Sequence, residues 1–222
     1  MDGSHGKSRT DGRLLNLNPM VSVHDDVFDA ATADHAIALA RDKLQRSGVV
    51  GFSGATESDA RTSHHAGLDQ WSDPVLTALV ERLSALVRLP PENAEPIKVI
   101  RYHGDEKFDL HLDAFSGFTP GVAEALASGG QRLFTTLCYL GDTDAGGLTE
   151  FPRLKIVVRP RLGRVLAWSN TVPGTDDPHP DSVHVGHPVT DGDKWVLSVW
   201  WRERLFHVPR DYPAEAGPDR II

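Results

Sequence analysis

The segment Phe108-Asp109-Leu110-His111-Leu112-Asp113 carries the first residues whose types and spacing could do chemistry. On a strand, alternation puts Asp109, His111 and Asp113 on one face and Leu110 and Leu112 on the other. An imidazole and a carboxylate two residues apart can take adjacent corners of one metal ion, and a third ligand from a distant strand would complete a facial triad. Such a triad leaves three coordination positions open, as an iron that must bind both a cosubstrate and dioxygen requires. An isolated H-x-D also recurs by chance on solvated strands, so the pair needs a third partner.

Two histidines compete for that place in Ser182-Val183-His184-Val185-Gly186-His187-Pro188-Val189. His184 lies ten residues before Lys194, across a turn expected at Asp191-Gly192, so both can point into one barrel mouth. His187 falls on the opposite face and precedes Pro188, which marks it as peripheral. Lys194 has a specific use beside a metal, because a cosubstrate with a distal carboxylate needs a buried cation on a long stem. The alternative, a surface lysine opening a strand, stays open at this point.

The elements that must position these groups are mostly strands. From Ile97 onward, β-branched and aromatic residues cluster in short segments separated by Gly, Asp and Pro: 97–102, 107–113, 132–140, 148–151, 155–158, 163–168, 182–187 and 194–202. About eight strands in succession predict a sandwich or jelly roll, with Gly146-Gly147 in a loop joining two of them. Upstream, helical spacing from Ala33 to Leu44 and an apolar stripe of Leu76, Leu79, Val80, Leu83 and Leu86 predict two flanking helices. Asp73-Pro74 caps the second, and Pro90-Pro91 ends it. Residues 1–18 are polar and aperiodic and are expected to be a flexible tail, leaving 19–222 as a single domain.

Composition narrows the partners. A net charge of −8 without a basic stripe argues against nucleic acid or an anionic membrane surface. No apolar run is long enough to span a bilayer, and the N-terminus has no signal-peptide core, so a soluble cytoplasmic protein is expected. The single cysteine, Cys138, reads as a core residue. The oligomeric state is not legible.

Several linked motifs over about 100–204 are similar to those of the prolyl-4-hydroxylase family of Fe(II)- and 2-oxoglutarate-dependent oxygenases. Tyr102-His103-Gly104, Phe108 and His111-Leu112-Asp113 resemble its Y-x-x-G, aromatic and H-x-D segment. Arg132 through Leu140, then Gly146-Gly147-Leu148-Thr149-Glu150-Phe151-Pro152, resemble R-x-x-T-x-L-x-Y-L and G-G-x-T-x-F-P. Gly163 through Asn170, with Trp168, resembles the strand ahead of the distal histidine, and His184 to Lys194-Trp195 with Trp200 resembles the closing H…K-W…W run. Arg61-Thr62-Ser63 resembles a further segment of some members. The resemblance implies a mainly β protein with flanking N-terminal helices, built on a double-stranded β-helix (jelly roll). It implies Fe(II) on His111, Asp113 and His184, 2-oxoglutarate and O2 as cosubstrates, and ascorbate as a reductant. Lys194 would pair with the distal carboxylate of 2-oxoglutarate, with Tyr102, Tyr139 and Thr149 as hydrogen-bond donors around it. Oxidative decarboxylation would then yield succinate and carbon dioxide. Halogenating relatives lose the carboxylate that Asp113 retains, so hydroxylation is the expected outcome.

One departure bears on the substrate. Where the family has W-x-H, this chain has Trp200 and then Arg202. Arg132, Trp200 and Arg202 are therefore taken as substrate-binding residues, the two arginines anchoring an acidic group on a small molecule such as a free amino acid. Pairing of Arg202 with Glu203 or another acidic neighbour is the structural alternative. Peptidyl prolyl 4-hydroxylation is the second functional reading. A non-catalytic jelly-roll binding module is a third, and a metal barrel using more histidines a fourth, for which only His103 lies close enough. A lid over about 52–66 is a further expectation.

Overall fold

Asp73 accepts hydrogen bonds from the backbone N–H groups of Val75 and Leu76, and Pro74 occupies the first turn, so the helix Pro74–Val87 starts where its cap dictates. It buries Leu76, Leu79, Val80, Leu83 and Val87, and stops at Arg88, whose left-handed backbone (φ 58°) ends the turn. A first helix, Ala30–Arg41, is capped by Asp29 and begins three residues before the expected Ala33. It buries Ala33, Ala36 and Ala40, small side chains that let it lie close against the sheet. This computed structural model describes residues 12–51, 54–57, 59–117 and 121–206.

Two antiparallel sheets carry the architecture. The larger has eight strands in the order Gly12–Leu17, Met20–His24, Val165–Ser169, Arg132–Tyr139, Asp193–Arg202, Ile97–His103, His64–Leu68 and Gln45–Arg46. The smaller has four: Ile156–Val158, Thr149–Phe151, His184–Gly186 and Phe108–His111. One core lies between the helices and the large sheet and includes Leu79, Leu83, Ile97, Val99, Leu197 and Trp201. The other lies between the sheets, where Ile100, Tyr102, Tyr139, Trp168 and Val196 meet Phe151, Val158 and Val189. This is the expected jelly roll, and the site opens between its two sheets.

The eight strand segments all form, with ends shifted by one or two residues at most boundaries. Cys138 is fully buried in the first core, where burial pushes its thiol pKa up, as a core residue requires. The tail is corrected in part: Gly12–Leu17 is a strand, paired in a hairpin from Gly12↔His24 to Leu17↔Met20. Its sequence conceals this because an edge strand with both faces near solvent needs no apolar alternation, and Leu14 and Leu17 are exposed. Residues 1–11 lie outside the described residues. Of the expected lid, residues 52, 53 and 58 likewise fall outside, whereas Gly54–Glu57 pairs with Gly48–Gly51 and His64–Leu68 joins the large sheet. Among the described residues, no helix is long and apolar enough to cross a membrane.

Candidate active site

His111 and His184 are direct cross-strand partners in the small sheet, and Asp113 follows immediately as the chain leaves it. Each imidazole is oriented by a backbone carbonyl two residues earlier: His111 Nδ1 meets Asp109 O at 2.8 Å, and His184 Nδ1 meets Ser182 O at 3.0 Å. A carbonyl only accepts, so Nδ1 carries the proton in both rings and the Nε2 lone pairs face inward. His111 Nε2 lies 3.7 Å from Asp113 Oδ1, and His184 Nε2 lies 3.8 Å from Asp113 Oδ2. All three ligand atoms fall within 4.8 Å of one another. Burial, helped by His184, pushes the His111 pKa down to about 3, so its ring is neutral and able to ligate. Burial would raise the Asp113 carboxyl, but His184, His111 and a hydrogen bond from Thr135 outweigh it and hold the group ionised.

The donor set therefore fits a ferrous ion: two imidazoles with inward-facing Nε2 atoms and one carboxylate on one side, with a cavity rather than protein on the other. Outer contacts fix it further. Asn170 Nδ2 donates to Thr135 Oγ1 at 2.9 Å, and Thr135 donates to Asp113 Oδ2 at 2.7 Å. Phe108 stacks on His111 with centroids 3.5 Å apart, and Trp168 packs edge-on against His184 at 4.7 Å. Thr135 sits in the R-x-x-T run and Asn170 follows Trp168, so the motifs contained both without disclosing what they touch.

Lys194 stands beyond the triad on the large sheet, opposite Tyr102, and is 2% exposed. Its ammonium lies 3.5 Å from Thr149 Oγ1 and over the rings of Tyr102 and Tyr139, at 5.2 and 5.8 Å. No carboxylate pairs with it among the described residues, and burial pulls its pKa down to about 7. A surface lysine opening a strand is excluded. Tyr139 donates to Thr149 Oγ1 at 2.9 Å, which leaves the threonine's own proton free for a ligand. Tyr102, Thr149, Lys194 and the triad residues all line one cavity, as does Trp200. Tyr139 supports that wall from behind. His187 pairs instead with Glu150 at 2.6 Å, and His103 with Asp193, both away from the metal ligands.

The two arginines correct the sequence reading. Arg132 and Arg202 are directly opposite in neighbouring strands, and Glu95 pairs with both. Its carboxylate takes Arg132 Nε and Nη2 at 2.6 and 2.7 Å and Arg202 Nη1 at 2.9 Å. The remaining Arg202 donors go to the carbonyls of Gly130 and Ala125. Arg202 is thus a buried structural cation, not a substrate anchor, and Arg132 serves as a prop whose guanidinium lies 4.3 Å from the Trp200 ring centroid. Glu95→Gln would keep the volume but strand two buried charges, with an expected stability loss of about 3–5 kcal/mol read from the urea midpoint.

Arg61 was not assigned a role by sequence. It is 8% exposed, lines the same cavity, and holds its guanidinium 4.5 Å from the Phe108 ring centroid.

Residues 97–202 match the 2OG-Fe(II) oxygenase superfamily. Prolyl 4-hydroxylase 2 of Arabidopsis thaliana is 32% identical over 211 residues, covering 85% of this chain and 69% of its own length. A putative prolyl 4-hydroxylase of Acanthamoeba polyphaga mimivirus is 29% identical over 184 residues, covering 83% and 74%. In fold, the chain is similar to the viral collagen prolyl hydroxylase of Paramecium Bursaria Chlorella virus-1, solved as its 2-oxoglutarate complex. That match has a TM-score of 0.65 at 21% identity and covers 82% of this chain and 95% of the other. With the triad and cavity described above, these relationships show that the chain belongs to the prolyl-4-hydroxylase-type 2-oxoglutarate/Fe(II) oxygenases and is a 2-oxoglutarate-dependent dioxygenase whose cofactors are Fe(II) and 2-oxoglutarate.

Proposed function

We propose that the protein hydroxylates an aliphatic carbon of a compact substrate, with Fe(II) held by His111, Asp113 and His184 and the distal carboxylate of 2-oxoglutarate held by Lys194. The observation that carries this reading is the buried Lys194 ammonium, which has no counter-ion among the described residues and shares a cavity with three convergent metal ligands. When bound with its cosubstrate and dioxygen, the iron supplies an oxidant able to take hydrogen from an unactivated C–H bond, with succinate and carbon dioxide released. The protein's own contribution is placement. Lys194 and the Thr149 hydroxyl fix one end of the cosubstrate, so its keto acid end is directed toward the triad. The Asp109 and Ser182 carbonyls keep both imidazoles in the ligating tautomer, and Thr135 keeps the Asp113 carboxylate turned inward. Ile100, Phe108, Leu137, Trp168 and Val196 form an apolar wall that limits water and with it unproductive turnover.

Anaerobic addition of Fe(II) to protein with 2-oxoglutarate is expected to produce a visible charge-transfer band, and admission of air to produce succinate. A silent spectrum with no succinate would instead favour a non-catalytic jelly-roll binding module. Peptidyl prolyl 4-hydroxylation is the second reading, favoured by the names of the relatives at 29–32% identity. Mass spectrometry of reactions with prolyl peptides and with small molecules separates the two by which class gains one oxygen atom.

A further inference from the structure

A second pair of cations stands at this cavity: Arg61 lines it, and Lys98 lies against its lining residue Trp200. On the long strand Asp193–Arg202, Lys194, Val196, Ser198 and Trp200 form one row lining the cavity, and the first three lie opposite Tyr102, Ile100 and Lys98. Lys194 and Lys98 thus stand at opposite ends of this double row. Four residues of strand separate Lys194 from Ser198, the partner of Lys98, a distance of roughly 13 Å. The five-carbon chain of 2-oxoglutarate spans only roughly 5 Å between its end carbons. A cosubstrate seated on Lys194 leaves the Lys98 end to another molecule.

Two cations there lack counter-ions among the described residues. Arg61 is 8% exposed, yet its Nε and Nη2 atoms have no hydrogen-bond partner. Its ring contact, Phe108, is the residue stacked on His111, which sets the guanidinium beside the metal ligands. Lys98 is half-buried, lies 5.2 Å from the Trp200 ring centroid, and forms no ion pair among the described residues. Burial, together with Arg132 and Arg61, pulls its pKa down. The nearby carboxylates are already committed, Glu95 to two arginines and Asp113 to the metal site. An unpaired buried guanidinium is costly unless a ligand satisfies it.

We propose that Arg61 and Lys98 bind an oxyanion carried by the substrate, a carboxylate or a phosphoryl group, so that the hydroxylated carbon belongs to a compact acidic molecule. This rests on the hydroxylase reading above and assigns its substrate class. The acidic group sought from Arg132 and Arg202 is thereby moved to two cations that the carboxylates of the described residues leave free.

The test is calorimetric titration of the protein, with and without Fe(II) and saturating 2-oxoglutarate under anaerobic conditions, using inorganic phosphate, N-acetylglycine and neutral N-acetylglycinamide. At least one anion is expected to bind and the amide not to bind. Lys98→Gln and Arg61→Gln should each weaken anion binding about tenfold or more, with 2-oxoglutarate affinity unchanged within about twofold. The two anions distinguish carboxylate from phosphoryl recognition. Failure of both to bind, equal binding of the amide, or binding undiminished in Lys98→Gln overturns the proposal, and the lysine variant decides if Arg61→Gln does not fold. The charge-transfer band of the same samples reports the hydroxylase reading separately. A normal band without anion binding removes the acidic substrate alone, whereas a missing band removes the hydroxylase reading and leaves the anion result to stand on the variants.

Discussion

Asp113→Ala is expected to lower succinate formation by about a thousandfold or more, a loss of about 4 kcal/mol of transition-state stabilisation. The side chain is the only carboxylate in the triad, and its two oxygens face the two imidazole Nε2 atoms at 3.7 and 3.8 Å. Two neutral imidazoles remaining in the variant would hold a divalent ion weakly and would no longer offset its charge. The fold should survive, because removing Asp113 takes a buried carboxylate out of the metal-free protein, and Thr135 still accepts from Asn170. Circular dichroism and thermal midpoint are therefore expected to stay close to the parent's while metal binding fails, as read by visible absorption on titration with Co(II). Thr135→Val gives a graded comparison. It removes only the hydrogen bond that orients the carboxylate, so metal affinity should fall about 10- to 100-fold. Equal metal affinity for Asp113→Ala and the parent would dismiss the triad assignment.

How far the site was legible depends on the range over which each residue's partners lie. His111 and Asp113 announce themselves through strand alternation, and His184 with Lys194 through their spacing across one turn, which the structure forms as a bend at Gly192 (φ +76°) between Val189–Asp191 and Asp193–Arg202, strands of different sheets. The orienting partners of both histidines are backbone carbonyls two residues away, a contact no side-chain pattern displays. Arg202 was misread for a different reason. Alternation places residues 200 and 202 on one face, but the pairing with Arg132–Tyr139 shifts register between Trp201 and Arg202, so the arginine leaves the cavity row. Its counter-ion, Glu95, precedes the first strand of the repeated pattern and lies more than a hundred residues away, which no local reading could connect. Arg61 was hidden likewise, since its significance comes from the hydrogen bonds it lacks. The fold was read well where buried faces impose a period and poorly at the Gly12–Leu17 edge, where exposure imposes none.

Lys194→Met is expected to weaken 2-oxoglutarate about 30- to 5,000-fold while making the unliganded protein more stable. Both effects follow from one cause. The ammonium is buried at 2% exposure without a carboxylate partner among the described residues, so it costs stability until the cosubstrate supplies one. Truncating one side of a buried charge pair typically costs about 2–5 kcal/mol of binding. The parent's affinity should also depend on pH with a predictable sign. In the free protein, burial holds Lys194 near a pKa of about 7, whereas a bound carboxylate favours the ammonium and raises it. Binding therefore takes up a proton above that pH. The apparent dissociation constant should be nearly flat below pH 7 and should rise above it by up to about tenfold per pH unit. Methionine at 194 removes the titrating group, so the same measurement on the variant should give a flat profile, weak throughout. Calorimetry in two buffers of different ionisation enthalpy reads the proton uptake directly at pH 8. If the variant bound 2-oxoglutarate as tightly as the parent, or kept the parent's pH dependence, the anchoring carboxylate contact would have to lie on another cation, and Arg61 would be the next to test.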